Sequence, residues 1–146
     1  MAEHDTARRL IWHGVFLFFV GLLTGLAVQE LTNPRMGLAA HLEAVMNGMF
    51  LVLIGLIWKH LRLAARTAGV LFWLILYAGY ANWACTLLGA IFGTSKMTPI
   101  AGAGHSAAGW QEAIVGVGLV SLSIAAMTSC IMVLWGLRGG GHSSAA

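Results

Sequence analysis

His13, His41, Asn47 and Asn82 are the side chains of this sequence best suited to bind a ligand, because each lies in an otherwise apolar stretch. A neutral imidazole at His41, near the end of a helix, could ligate a haem iron, and His13 is a weaker candidate for that role. Each asparagine amide brings two hydrogen-bond donors and an acceptor, and unpaired burial costs about 1 to 3 kcal/mol per group. The two amides could bond to each other across two helices, or they could line a polar cavity and contact a substrate or cofactor.

Four aromatic residues of one apolar stretch form a second candidate binding feature: Trp73, Tyr77, Tyr80 and Trp83. They recur at steps of three and four residues, so in a helix they share one face. That face could stack on an aromatic ligand, or it could pack against a neighbouring helix. The spacing is compatible with both.

The composition around these residues is that of a membrane protein. Of 146 residues, 59% are hydrophobic and 9% are charged, whereas soluble domains carry about 25% charged residues. A spanning helix needs about 20 apolar residues, and four runs approach or exceed that length without Asp, Glu, Lys or Arg: 10–29, 44–58, 67–95 and 113–137. The second run becomes long enough when it is extended back through His41 and Glu43. We therefore predict an all-α, integral membrane four-helix transmembrane bundle, a single domain of residues 1–138, with spans at about 10–31, 38–58, 67–93 and 112–137.

The connections and the basic residues predict the orientation of this bundle. Residues 32–35 (Thr-Asn-Pro-Arg) close the first hairpin, residues 59–66 form a basic turn, and the longest loop runs from about 93 to 109. Arg35 and Lys96 fall on the side of the first and third loops, whereas the other six of eight Lys and Arg fall on the side of the termini and the second loop. The positive-inside bias then puts both termini in the cytoplasm. Residues 139–146, mainly Gly, Ser and Ala, are predicted to be a flexible tail.

Gly21 and Gly25 form a GxxxG pair in the first span, and Gly116 lies in the fourth. Small residues let helix backbones approach closely in lipid, where burial of apolar surface does not drive association. Such an approach could lie within one bundle or between subunits. Periodicity does not separate the two, because each span is apolar all round.

Several classes of function are excluded by composition. Eight Lys and Arg, spread thinly among apolar runs, cannot build a face that binds nucleic acid. Cys85 and Cys130 form no CxxC motif, so neither a disulfide framework nor a zinc site is indicated. Of five carboxylates, Glu43 and Glu112 are the two nearest a membrane boundary, and neither belongs to an adjacent pair that could serve catalysis by two acids.

Three segments carry a resemblance to known proteins: residues 13–14 (His-Gly), 21–25 (Gly-Leu-Leu-Thr-Gly) and 33–49 (Asn-Pro-Arg-Met-Gly-Leu-Ala-Ala-His-Leu-Glu-Ala-Val-Met-Asn-Gly-Met). Together they closely resemble the hydroxylaminobenzene mutases. Those small membrane enzymes act in bacterial nitroarene degradation and convert hydroxylaminobenzene to 2-aminophenol. The resemblance extends over about residues 8 to 138.

The His-x5-Asn-Gly-Met string that begins at His41 is also similar, more distantly, to styrene oxide isomerase. That family consists of four-helix membrane proteins that form trimers and use ferric haem b as a Lewis acid. Its haem-ligating histidine corresponds to His41, and its substrate-contacting asparagine corresponds to Asn47. The resemblance therefore implies haem b at His41, with an open sixth position on the iron.

The third helix of the same family has a Gly-Trp-x-Asn stretch, which resembles Gly79, Tyr80 and Asn82 here. This chain departs from the family at two positions nearby. The acidic residue just before the stretch is Ala78 here, and the tyrosine one turn after the asparagine is Thr86. These departures argue against epoxide isomerisation and fit a different substrate oxygen.

The resemblance implies an isomerase that moves the hydroxyl group of hydroxylaminobenzene from nitrogen to the ortho carbon. It implies a homotrimer in the bacterial inner membrane and the following roles: catalytic Asn47 and Asn82; substrate-binding Tyr80, Trp83 and Thr86; cofactor-binding His41, His13 and Arg35. Two alternatives remain. One is a haem-dependent epoxide isomerase, and the other is a non-catalytic haem subunit for electron transfer with His13 as the second axial ligand.

Overall fold

The structure is a computed structural model, described here for residues 3–138, and it is helical. Four long helices follow one another: α1 (Glu3–Ala27), α2 (Pro34–Ile57), α3 (Ala65–Phe92) and α4 (Gly109–Gly136). Short 3-10 turns extend α1 over Val28–Glu30 and α2 over Trp58–His60. All four helices are long and apolar enough to cross a membrane. The predicted all-α membrane bundle is confirmed, and residues 3–138 contain no strand.

The helix bounds differ from the prediction mainly at the first two N-termini. α1 begins at Glu3 rather than near residue 10, because a helix continues through charged residues once its backbone hydrogen bonds are formed. α2 begins at Pro34, where Asn33 Oδ1 accepts a hydrogen bond from the Met36 amide at 3.1 Å. An asparagine cap followed by proline is a strong start signal for a helix. The tail predicted at 139–146 lies outside the described residues.

The helices pack in chain order: α1 on α2, α2 on α3, and α3 on α4. The core has fully buried side chains from the first three helices, among them Leu17, Leu51 and Phe72. α4 buries one stripe and exposes large apolar side chains such as Val117 (71% exposed). Exposed apolar surface of this extent suits contact with lipid or with another subunit.

A seam of small residues joins α1 to α2. A Cβ atom added at Gly21 would lie 2.9 Å from Ala44 Cβ, and one added at Gly25 would lie 2.8 Å from His41 Nδ1. The question left open by the GxxxG pair is answered by these contacts, since both glycines pack within the chain. Gly116 does not join this seam, because the atom nearest to an added Cβ there belongs to Met97.

The loop between α3 and α4 is tied down over the end of α2. Asn33 Nδ2 donates to the Ala101 carbonyl at 2.9 Å, and Arg35 Nη1 donates to the Ile100 carbonyl at 3.1 Å. The Glu112 carboxylate accepts the backbone amides of residues 95 and 96 at 2.9 and 3.1 Å. These bonds hold the loop next to the helix end that carries His41.

Candidate active site

His41 is held against the backbone of α1. Its Nδ1 atom lies 2.7 Å from the Gly21 carbonyl oxygen. Because a carbonyl only accepts, the hydrogen bond requires the proton on Nδ1 and leaves the lone pair on Nε2. A carbonyl partner of this kind orients a metal-ligating imidazole and makes it more basic. The bare backbone of Gly25 provides the space for the ring.

The flank of α2 that carries His41 is compatible with the haem that the resemblance implies. Residues 3–138 contain no group of three His, Cys, Asp or Glu that could hold a metal ion. A single oriented imidazole instead suits a metal that brings its own macrocycle. Leu38 and Leu42, which are 51% and 47% exposed, supply apolar surface beside His41. His41 is thus the residue that would hold the group.

His13 lies away from His41 in this chain. Its Nδ1 lies 3.1 Å from the Tyr80 hydroxyl, and the two rings meet edge to face. Along α1 it lies eight residues from Gly21, the contact of His41, which is about 12 Å at 1.5 Å per residue. A metal–imidazole bond is only about 2 Å long. Within one chain His13 pairs with Tyr80, and its predicted role in cofactor binding stays a prediction.

Arg35 also lies away from the imidazole. It is exposed, precedes His41 by six residues, and donates to the carbonyl of Ile100. Positions six residues apart on a helix point about 120° away from each other. Its hydrogen bond is to the loop between α3 and α4, and its predicted contact with a cofactor stays a prediction.

Asn47 and Asn82 lie together, but they do not bond to each other. Asn82 Nδ2 donates a hydrogen bond to Glu43 Oε2, and Glu43 lies one turn before Asn47 on α2. Asn47 Nδ2 is buried and has no hydrogen-bond partner. Of the two interpretations of the asparagines, mutual pairing is wrong, because Glu43 is the partner of Asn82.

Both asparagines line one cavity between α2, α3 and α4. Its volume is about 60 Å³, and Ala78 and Gly79 form part of its wall. Small-molecule pockets begin at roughly 300 Å³. The cavity in one chain can therefore accept the polar group of a substrate, but it cannot enclose an aromatic ring.

The predicted substrate residues Tyr80 and Trp83 face α1 instead of this cavity. Tyr80 contacts His13, and Trp83 Nε1 donates to Thr24 Oγ1 at 3.0 Å. Trp73 and Tyr77 point outward, with 63% and 47% of their surface exposed. The aromatic stripe thus packs partly against α1 and partly faces the surroundings, and it forms no single stacking platform in the chain.

Thr86 is buried and lies one turn beyond Asn82. Residues four apart share a helix face, so it lies on the side of α3 that carries the asparagine. Among residues 3–138, however, Thr86 does not line the cavity, because Asn82 is the last residue of α3 in the cavity wall.

The imidazole and the asparagines occupy different flanks of α2. His41 contacts α1, whereas Asn47 lines the cavity against α3 and α4. Their six-residue separation turns them about 120° apart. A single chain therefore does not bring all of these side chains around one ligand.

Glu43 is the site residue that the sequence reasoning missed. It is the single acidic residue between Pro34 and His60, and it precedes Asn47 by four residues. An acidic residue inside a predicted span, on the face of a candidate asparagine, was the signal that could have found it.

Comparison with known proteins identifies the family of this chain. The family model for styrene oxide isomerase matches residues 6–138. The chain belongs to the styrene oxide isomerase family. Its relatives include hydroxylaminobenzene mutase HabB of Ectopseudomonas oleovorans, 44% identical over 90% of this chain and 81% of the relative. Hydroxylaminobenzene mutase HabA of the same organism is 40% identical over 85% of this chain and 93% of the relative.

No solved structure matches this chain. The names of the family and of both relatives denote enzymes that rearrange one molecule into its isomer. This member of the styrene oxide isomerase family is therefore an isomerase of the membrane. The matched region includes His41, Asn47 and Asn82.

Proposed function

We propose that this isomerase converts hydroxylaminobenzene to 2-aminophenol. The names of its two curated relatives support this substrate. The structural observation that carries the proposal is the buried amide of Asn47, whose Nδ2 has no partner and lines a cavity beside Asn82. An unpaired buried donor is costly unless a ligand accepts from it.

His41 would hold ferric haem b through Nε2, and the iron of such a centre would supply Lewis acidity toward the N–O bond. The Gly21 carbonyl keeps the imidazole in the required tautomer. His13 pairs with Tyr80, which speaks against the alternative of an electron-transfer subunit with two histidine ligands in one chain.

The rearrangement breaks the N–O bond and a ring C–H bond, and it forms a C–O bond and an N–H bond. Its atoms balance without any other reactant, and the product is an isomer of the substrate. Asn47 donates a hydrogen bond to the hydroxyl oxygen, and Asn82, fixed by Glu43, orients the same group. Leu51 and Leu122 form apolar walls of the cavity, and these walls keep water from the polar group of the substrate.

A homotrimer would complete the substrate pocket. One chain has an imidazole flank and an asparagine flank on different sides of α2, and its cavity of about 60 Å³ is too small for the ring. A closed ring of protomers with head-to-tail contacts sets one surface of a subunit against a different surface of the next. We propose that the His41 flank of one protomer meets the Asn47 flank of its neighbour in this way.

The membrane in question is the bacterial inner membrane, with both termini in the cytoplasm. The support is the distribution of basic residues, six of eight on the side of the termini.

Isomerisation of an epoxide is the second candidate, favoured by the family match. The free amide of Asn47 could donate to an epoxide oxygen as well as to a hydroxyl. Turnover of styrene oxide in the absence of turnover of hydroxylaminobenzene would select this candidate.

The experiment that tests the proposal uses detergent-purified protein, hydroxylaminobenzene and ¹⁸O-labelled water. Intramolecular transfer predicts 2-aminophenol that contains no label. Labelled product, or 4-aminophenol as the main product, would mean that water captures the ring and would contradict the proposal.

A further inference from the structure

Glu43 is a carboxyl group inside a membrane-spanning helix, and its partner is a neutral amide. Its Oε2 atom accepts from Asn82 Nδ2, while Oε1 receives no hydrogen bond from residues 3–138. Ionisable residues within spans are costly and commonly mark functional sites. Glu43 is half-buried and its Oε1 is accessible, so this oxygen is an acceptor that a bound ligand could cover.

The unpaired groups near Glu43 form a complementary set. Asn47, one turn further along α2, has a buried donor without an acceptor. Asn82 connects the two, since it bonds to Glu43 and lines the cavity with Asn47. A ligand that accepts at one atom and donates from the next would satisfy both.

We propose that Glu43 Oε1 accepts a hydrogen bond from the N–H of an N-arylhydroxylamine, and thereby selects substrates with a donor over epoxides. This inference rests on the proposed function, and it names the residue that determines the substrate class. The hydroxyl oxygen of such a substrate accepts from Asn47, and its adjacent nitrogen donates to Glu43. An epoxide offers an acceptor oxygen only, so it would leave the Glu43 oxygen unpaired.

The expected discrimination between substrates is large because an unpaired polar group in a binding site costs more free energy than a formed hydrogen bond contributes. A site built to pair with a substrate N–H or O–H discriminates strongly against an analogue that lacks it, because the buried partner stays unsatisfied. Loss of one such bond lowers affinity by about tenfold or more. The discrimination should therefore depend on Glu43.

Glu43→Gln and Glu43→Met test this assignment. In the glutamine variant the side-chain carbonyl can still accept from Asn82, but an NH₂ group replaces the free oxygen. The methionine variant has no acceptor. Glu30→Gln is the matched control, because Glu30 is an exposed carboxylate at the end of the turn after α1.

The measurement is binding of aniline, which has N–H donors, and of toluene, which is similar in shape and has none. Calorimetric dissociation constants are determined for full-length protein in detergent, after checks of particle size and haem absorbance. We expect the preference for aniline over toluene to fall about tenfold in both Glu43 variants and to stay unchanged in Glu30→Gln. With substrate, kcat/KM for hydroxylaminobenzene should fall relative to that for styrene oxide.

An unchanged preference for aniline in both Glu43 variants would overturn the inference, and so would wild-type protein that binds the two probes equally. The wild-type comparison keeps the test decisive if the variants fail to fold. The proposed function fails separately, if wild-type protein forms no 2-aminophenol whatever its preference between aniline and toluene.

Discussion

Gly14 and Gly48 meet backbone to backbone between α1 and α2. A Cβ atom added at Gly14 would lie 2.6 Å from the Gly48 carbonyl oxygen, and one added at Gly48 would lie 2.7 Å from the Gly14 carbonyl oxygen. These are the glycines of the His-Gly and Asn-Gly-Met strings. Their contact sets the register of α1 against α2, and that register in turn brings His41 to the Gly21 carbonyl.

Gly48→Ala should destabilise the protein by about 1–3 kcal/mol, because the added methyl group forces the two backbones apart. Thermal unfolding in detergent measures the effect. Gly69→Ala is the control, since an added Cβ there meets nothing within 4 Å and alanine favours a helix over glycine. An equal loss of stability in both variants would show that the contact between Gly14 and Gly48 is not the cause of the destabilisation.

His41→Ala should remove both the Soret band and the conversion of hydroxylaminobenzene, because His41 is the residue proposed to hold the haem. Absorption spectra and product analysis of the purified protein measure the two effects. His60→Ala, a change at an exposed histidine of the turn after α2, should leave both intact. Activity that persists in His41→Ala without haem would refute the role of the cofactor.

Asn47→Leu should raise stability while it lowers activity. The substitution removes a buried donor that has no partner, and an unpaired group of this kind costs about 1–3 kcal/mol. Asn82→Leu provides the contrast, because it leaves Glu43 without its partner and should lower both stability and activity. The readouts are the unfolding midpoint and kcat/KM. A less stable Asn47→Leu protein would argue that the amide serves the fold.

Introduced cysteines test the orientation. In a background with Cys85→Ala and Cys130→Ala, a membrane-impermeant thiol reagent added to intact cells should label Lys96→Cys and spare Lys59→Cys. The first position lies in the loop before α4, and the second lies in the turn before α3. The reverse pattern would place both termini outside the cytoplasm.

Much of the fold could be predicted because its signals are local. A run without charged residues implies a spanning helix whatever it packs against, and the four long apolar helices follow from that property. The start of α2 is equally local, since the Asn33 cap and the proline after it act within one turn. The segments at residues 13–14, 21–25 and 33–49 likewise indicate the family from the sequence alone.

The partners of the polar side chains depend on the packing of helices that are distant in sequence. When a span is hydrophobic all round, its sequence does not show which side of the helix faces the neighbouring helices. The sequence therefore did not predict that His13 contacts Tyr80 or that Asn82 contacts Glu43. The sequence determined which residues lie in the membrane and which of them are polar. Only the tertiary structure decided which flank each one occupies, because rotation of a helix about its axis is set by close contacts such as that of Gly14 with Gly48.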